Sequence, residues 1–106
     1  MSLAAPVRIP VELRRPDGGR WFRLATWVAP DQIDVTPPFV EDDDLDAPFA
    51  IAFQLPGDGA AVAGRAHAER EGGTDSPARA SRLRLELSEE ACLRTARYVE
   101  ERLGIA

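Results

Sequence analysis

The chain has 106 residues, 44% of them hydrophobic and 29% charged, with a formal net charge of -5 at pH 7. This length predicts one domain with a modest core. No segment approaches the roughly 18 consecutive apolar residues of a transmembrane helix, and the first residues lack the features of a signal peptide. We therefore expect no membrane insertion and a cytoplasmic location, and the single Cys92 fits a reducing compartment.

The negative charge is concentrated in one segment, Glu41 to Asp46, which contains five of the 18 acidic residues. The remaining 13 acids balance 13 arginines, so there is no basic stripe and binding to duplex nucleic acid is not expected. A calcium loop of the EF-hand type would need glycine at Ala47 and glutamate at Phe53. We expect a solvated loop here, with partner docking and metal binding as the weaker alternatives, and we predict no metal site.

Two strands joined by a hairpin are predicted at the start of the chain. We expect residues 1–6 to be a leader, disordered or left from cloning, and residues 7–106 to form a single domain. Apolar and polar residues alternate from Val7 to Arg14, which is typical of a half-buried strand. The turn residues 16–19 then predict a hairpin with a return strand from Arg20 to Val28. This period places Phe22, Leu24 and Val28 on one face, and Trp21, Arg23, Ala25 and Trp27 on the other.

Four further strands are predicted downstream. A short strand surrounds Ile33 and Val35, and the prolines 37 and 38 are expected to end it in the acidic loop. Alternation then predicts strands at residues 49–55, 61–70 and 83–87, with a polar loop over residues 71–81. The total is six strands.

A helix is predicted at the end of the chain. Ser88 is a suitable N-cap, and two glutamates follow it in the first turn. An apolar stripe follows at helical spacing, namely Cys92, Ala96, Val99 and Leu103. Six strands with short turns followed by one helix predict a mainly β protein, a small antiparallel barrel whose end or flank is covered by the helix.

The order of these elements, with the segments RIPVEL, RWFRLATWV, AFQLP and GRAHAE, resembles the PilZ domain family of bacteria. The resemblance implies a six-stranded antiparallel PilZ-like β-barrel with a C-terminal α-helix. Many members of that family are receptors for cyclic di-GMP. They bind it through an RxxxR motif before the first strand and a [DN]xSxxG motif after the second.

Both motifs are degraded in this chain. Arg8 matches the second arginine of RxxxR, but Ala4 stands where the first should be. In the second motif, Trp27 replaces the acid or amide, Ala29 the serine and Gln32 the glycine. Losing several charge-assisted contacts would weaken binding by orders of magnitude. We therefore predict no cofactor and no specific micromolar binding of cyclic di-GMP.

Two groups of residues are candidate sites. If Trp21, Arg23 and Trp27 form an exposed aromatic and arginine surface, they are the preferred contacts for a protein partner; packing under the helix or a loop is the alternative. If a nucleotide binds after all, Arg8 with Arg14 or Arg15 are the candidates, although solvated turn charges also explain the last two.

Catalysis is not expected. His67, the only histidine, has no cysteine or carboxylate constellation around it and is predicted to lie at the surface, while Cys92 is predicted to lie in the core. The leading hypothesis is a non-catalytic PilZ-like signalling or adaptor domain that acts through an unidentified bacterial protein partner. The alternative is a divergent cyclic di-GMP receptor using Arg8 and nearby arginines.

Overall fold

The computed structural model describes residues 3–40, 48–57, 61–71 and 79–105. These residues form six strands and one helix, in the order β1 (Ala5–Arg14), β2 (Arg20–Val28), β3 (Gln32–Val40), β4 (Phe49–Gln54), β5 (Ala61–Glu71), β6 (Arg79–Leu87) and α1 (Glu89–Leu103). The acidic segment 41–46, for which a solvated loop was predicted, lies outside the described residues.

The strands close into a barrel in the order β1-β2-β3-β6-β5-β4, and every pairing is antiparallel. This confirms the predicted fold, a mainly β, six-stranded PilZ-like barrel with a C-terminal helix. Closure is favourable because it leaves no unpaired strand edge. In β1 and β4 the residues alternate regularly between buried and exposed, so their inner faces supply much of the core.

Several strand boundaries differ from the prediction. β1 begins at Ala5, which is buried and pairs with Val28, so the strand includes two residues assigned to the leader. β3 does not end at the prolines but continues to Val40. Its pairing with β6 is irregular between Asp34 and Phe39, where prolines without an N–H cannot maintain the ladder. β6 begins at Arg79, inside the predicted loop.

The helix begins as predicted, with the Ser88 hydroxyl accepting a hydrogen bond from the Ala91 amide at 3.1 Å. Its buried stripe is nevertheless Ala91, Thr95 and Val99. The prediction of Cys92 in the core is wrong, because that residue is only half-buried. Thr95 can be buried since its hydroxyl donates to the Ala91 carbonyl oxygen at 2.8 Å.

The helix packs on β1 and β6, and Ala91 and Val99 join the barrel core. The barrel consequently has two different ends. At the helix end lie the start of β1, the β2–β3 turn and the end of β6. At the opposite end, which we call the hairpin end, lies the β1–β2 turn.

Candidate functional site

A β-bulge in β2 divides the predicted partner-binding residues between two faces. Ala25 pairs with Val35 and Trp27 with Asp34, so Thr26 is an extra residue in the β2 ladder. An extra residue reverses the alternation of side chains beyond it. The prediction that Trp21, Arg23 and Trp27 share a face is therefore wrong.

Trp21 and Arg23 belong to an internal stack near the hairpin end. The Trp21 ring meets Phe49 edge to face, with 5.8 Å between ring centroids, and Phe49 stacks on Phe39 at 5.5 Å. Arg23 Cζ lies 4.3 Å from the Phe39 centroid, and the Arg15 guanidinium lies against Trp21 and Phe49 at 5.0 and 4.8 Å. These contacts are typical of cation–π packing. Their role here is to stabilise the barrel.

Trp27, in contrast, lies on the outside of the barrel, on the same face as Phe22 and Leu24. Phe22 is 61% exposed and Trp27 is 47% exposed. The cross-strand register places Leu24 beside Pro10, and Trp27 beside Pro6. We call these five residues the outer apolar surface. Large exposed aromatic groups on one outer face of a strand are typical of contact surfaces.

The charges beside this surface are largely paired with one another. Glu12 lies opposite Phe22 and forms ion pairs with Arg14 and, at 3.2 Å, with Arg20. The hydrogen bond from Arg14, followed by the attraction of both arginines, holds the pKa of the Glu12 carboxyl below its usual value. On the other side, Arg82 Nε donates to Asp34 Oδ1 at 3.0 Å. Glu12 thus compensates part of the charge of two arginines at one edge of the surface, and Asp34 pairs with Arg82 at the other.

The turn between β2 and β3 is held by backbone hydrogen bonds. The Ala29 amide donates to the Gln32 carbonyl oxygen at 2.8 Å, and the Leu85 amide donates to the Asp31 carbonyl oxygen at 2.8 Å. Ala29, which stands at the serine position of the family motif, is 0% exposed. Backbone bonding fixes the turn on β6, and the side chains do not present the donors and acceptors of the motif.

Arg8 does not share a site with Arg14 or Arg15. Arg8 and Arg14 are six positions apart on the extended strand β1, which places their Cα atoms about 20 Å apart. Arg8 is exposed at the helix end, where it lines a groove of about 560 Å³ with Tyr98 and Arg102. Arg15 lies at the hairpin end. A nucleotide site around Arg8 would draw on the helix arginine instead, which sequence spacing alone could not reveal.

His67 is the remaining residue that the sequence analysis singled out. His67 is half-buried rather than fully exposed, and the expectation that it has no carboxylate beside it is wrong, because its Nε2 lies 3.0 Å from Glu86 Oε1. Among the described residues, no three His, Cys, Asp or Glu side chains are grouped so that they could hold a metal ion. Within the same part of the chain, no helix is long and apolar enough to cross a membrane.

Comparison with known proteins supports the fold. No family model matches the chain, and no curated protein matches it in sequence. Among solved structures it resembles the Bacillus subtilis inhibitor of motility, MotI/DgrA, with a TM-score of 0.70 and 14% identity over 97% of this chain and 50% of that one. The chain has a PilZ-like fold.

A second similar structure is the Borreliella burgdorferi PlzA protein in complex with cyclic di-GMP. It has a TM-score of 0.51 and 12% identity, over 95% of this chain and 51% of that protein. The chain thus spans about half the length of both structures. At this level of identity the similarity establishes the architecture.

Proposed function

We propose that this chain is a cytoplasmic, non-catalytic PilZ-like regulatory domain that acts by binding another protein, and that its cyclic di-GMP site is degenerate. The observation that supports it most directly is the outer apolar surface formed by Phe22, Leu24, Trp27 and the two prolines beside them. Of the predicted contact residues, Trp27 is retained. Trp21 and Arg23 are replaced by Phe22 and Leu24, because the former two point into the barrel.

The geometry of the β2–β3 turn supports the proposal that the cyclic di-GMP site is degenerate. Nucleotide recognition at this turn would require exposed polar side chains and a close approach of the backbone. Here Ala29 is buried, and Trp27 offers an indole ring in place of a carboxylate or amide. The similarity to a protein described as an inhibitor of motility makes regulation through a protein partner a reasonable function for this fold.

Photocrosslinking in the source bacterium tests the contact surface. A benzoylphenylalanine side chain is introduced at Phe22, at Trp27 or, as a matched control, at Leu93. Leu93 is also 61% exposed but lies on the helix. We expect one protein to be crosslinked from positions 22 and 27 and not from 93. The same yield from all three positions, or none from 22 and 27, would contradict the proposal.

A second candidate function is a cyclic di-GMP receptor with a rebuilt site, which the groove between Arg8, Tyr98 and Arg102 favours. Two guanidinium groups can bind phosphate oxygens, and a tyrosine ring can stack on a base. Isothermal titration with cyclic di-GMP decides between the two functions. Saturable heat that is lost in Arg8→Ala and kept in Arg97→Ala, a helix variant outside the groove, would establish the receptor. A flat titration of folded protein would exclude it.

A further inference from the structure

The groove at the helix end adjoins the outer apolar surface, and the two share a residue. Pro6, Arg8 and Pro10 are alternate residues of β1 and all three are exposed, so they lie on the outer side of the strand. Both prolines belong to the outer apolar surface, while Pro6 and Arg8 also line the groove. A partner that covers Trp27 and Pro6 therefore has Arg8 within reach.

The spacing of these residues suits one short segment of a partner. Pro6 lies opposite Trp27 in the β1–β2 ladder. Arg8 is two positions further along β1, which in an extended strand is about 7 Å. Alternate side chains of an extended peptide have the same spacing, so a peptide lying on this face can place one side chain on Trp27 and another at Arg8.

The groove carries positive charge that no carboxylate compensates within the described part of the chain. Arg8 and Arg102 are the charged residues among the described ones that line it, and neither forms an ion pair with another of these residues. At another edge of the outer apolar surface, by contrast, Glu12 pairs with Arg14 and Arg20. The excess of positive charge is local, because the chain as a whole has a net charge of -5. The groove is thus suited to an anionic group.

The helix holds its side of the groove in place. Tyr98 and Arg102 are four positions apart on α1, so they lie on the same face of the helix. Tyr98 packs partly against the barrel core, and Gly104 ends the helix just beyond Arg102 in a left-handed conformation. Arg8, on β1, lines the same space from the barrel side. Guanidinium groups form strong, charge-assisted hydrogen bonds with carboxylates and phosphates, so either anion fits this pair of arginines.

We propose that the contact segment of the partner is acidic as well as apolar: its apolar side chains cover the outer apolar surface, and an adjacent aspartate or glutamate places its carboxylate between Arg8 and Arg102. The inference rests on the proposed protein-binding function and names the chemistry of the partner. A carboxylate of a protein is favoured over a nucleotide phosphate because Pro6 belongs to both sites. A single occupant of both has to supply apolar groups and an anion within a few residues of each other.

Selection from a phage-displayed library of random peptides on the immobilised protein tests this chemistry without knowledge of the natural partner. We expect the enriched peptides to combine aromatic or aliphatic residues with aspartate or glutamate. The strongest binders are synthesised with a fluorescein label, and their affinities are measured by fluorescence anisotropy. Trp27→Ala should weaken their binding about tenfold or more, as is typical of a central aromatic contact.

A double-mutant cycle tests the carboxylate. Arg8→Gln and Arg102→Gln should each weaken binding about fivefold to tenfold, because a charge-assisted hydrogen bond is lost. Replacing the acidic residue of the peptide by its amide should cause a similar loss with wild type and little further loss with the variant that lacks both arginines. Arg97→Gln, at an exposed helix position outside the groove, should leave the affinity unchanged. All three arginines are exposed, so the variants are expected to fold.

The failure of this inference differs from the failure of the protein-binding function. Binders that depend on Trp27 but are indifferent to their acidic residue, or to the loss of both arginines, would overturn the inference and leave the outer apolar surface as a protein contact. Absence of any Trp27-dependent binder would contradict the protein-binding function itself. Displacement of the peptide by cyclic di-GMP would assign the groove to a nucleotide, and a wild-type dimer that Trp27→Ala abolishes would assign the surface to a second copy. Either of these results would refute an acidic partner segment.

Discussion

The bulge at Thr26 predicts that two tryptophans on one strand differ sharply in their effect on stability. Trp21 packs against Phe49 and Arg15 inside the barrel, whereas Trp27 is 47% exposed on the outside. Each is replaced by alanine in a separate variant. Because the residue type, the strand and the substitution are the same, the comparison isolates the direction in which the side chain points.

The expected costs follow from burial. Replacing a fully buried large aromatic residue by alanine costs about 3–5 kcal/mol. Trp21 is partly covered, so we expect its loss to lower the free energy of unfolding by about 2–4 kcal/mol, including the contacts of its ring with Phe49 and Arg15. Trp27 has about half of its side chain in water already, and its loss should cost about 1 kcal/mol or less.

Urea unfolding followed by far-UV circular dichroism measures the difference without depending on tryptophan fluorescence. For a domain of this size the slope is about 1–2 kcal/mol per molar urea, so Trp21→Ala should lower the midpoint by about 2 M and Trp27→Ala by at most about 0.5–1 M. Equal shifts, or a larger shift for Trp27→Ala, would refute the reversal of side-chain direction at the bulge. The assignment of Phe22, Leu24 and Trp27 to one outer surface would then be wrong.

Three further variants test individual contacts of the fold. Gly64→Ala should cost about 1–3 kcal/mol, since the added Cβ would lie 2.5 Å from the backbone oxygen of Glu86; a thermal melt within a degree of wild type would contradict this. Ser88→Ala should cost about 1 kcal/mol through loss of the helix N-cap, measured by urea unfolding, and an unchanged midpoint would show that the cap adds nothing. Glu12→Gln should flatten the pH dependence of Tm. Because the pKa of Glu12 is lowered in the folded protein by Arg14, its stabilisation is present above the unfolded pKa and is lost as the pH falls through the folded one. Melts at pH 6 and pH 3 check this, and parallel losses of Tm in both proteins would contradict it.

The candidate site shows how far sequence reasoning could reach. The departures from the cyclic di-GMP motifs are visible in the residues themselves, since the side chains of Ala4 and Ala29 carry no charge and no hydrogen-bonding group whatever the fold. The contact surface could not be assigned in the same way. A period of two gives the two faces of β2 but does not say which one is buried, and it assumes that no residue is inserted between Ala25 and Trp27.

The arginines show even more clearly that closeness in sequence does not predict closeness in space. Arg8, Arg14 and Arg15 are close in sequence, yet an extended strand places the first at one end of the barrel and the other two at the opposite end. Arg65 is fifty residues further along the chain, and only the pairing of β4 with β5 brings it beside Ala50. Long-range strand register is a tertiary property, so residue spacing could not predict that Arg14 and Arg65 flank Ala50.

What the sequence determined by itself is local. Strict alternation in β1 and β4, turn residues between strands, and Ser88 before an amphipathic segment specify strands, hairpins and a capped helix, because each depends on neighbours in the chain. The tertiary structure decided which apolar groups are buried. It turned Trp21 inward and Trp27 outward through one extra residue, and it buried Thr95 because a carbonyl of its own helix satisfies the hydroxyl. The interior of the barrel holds only a limited number of side chains, so which apolar residues are buried is determined only when all six strands have paired and closed.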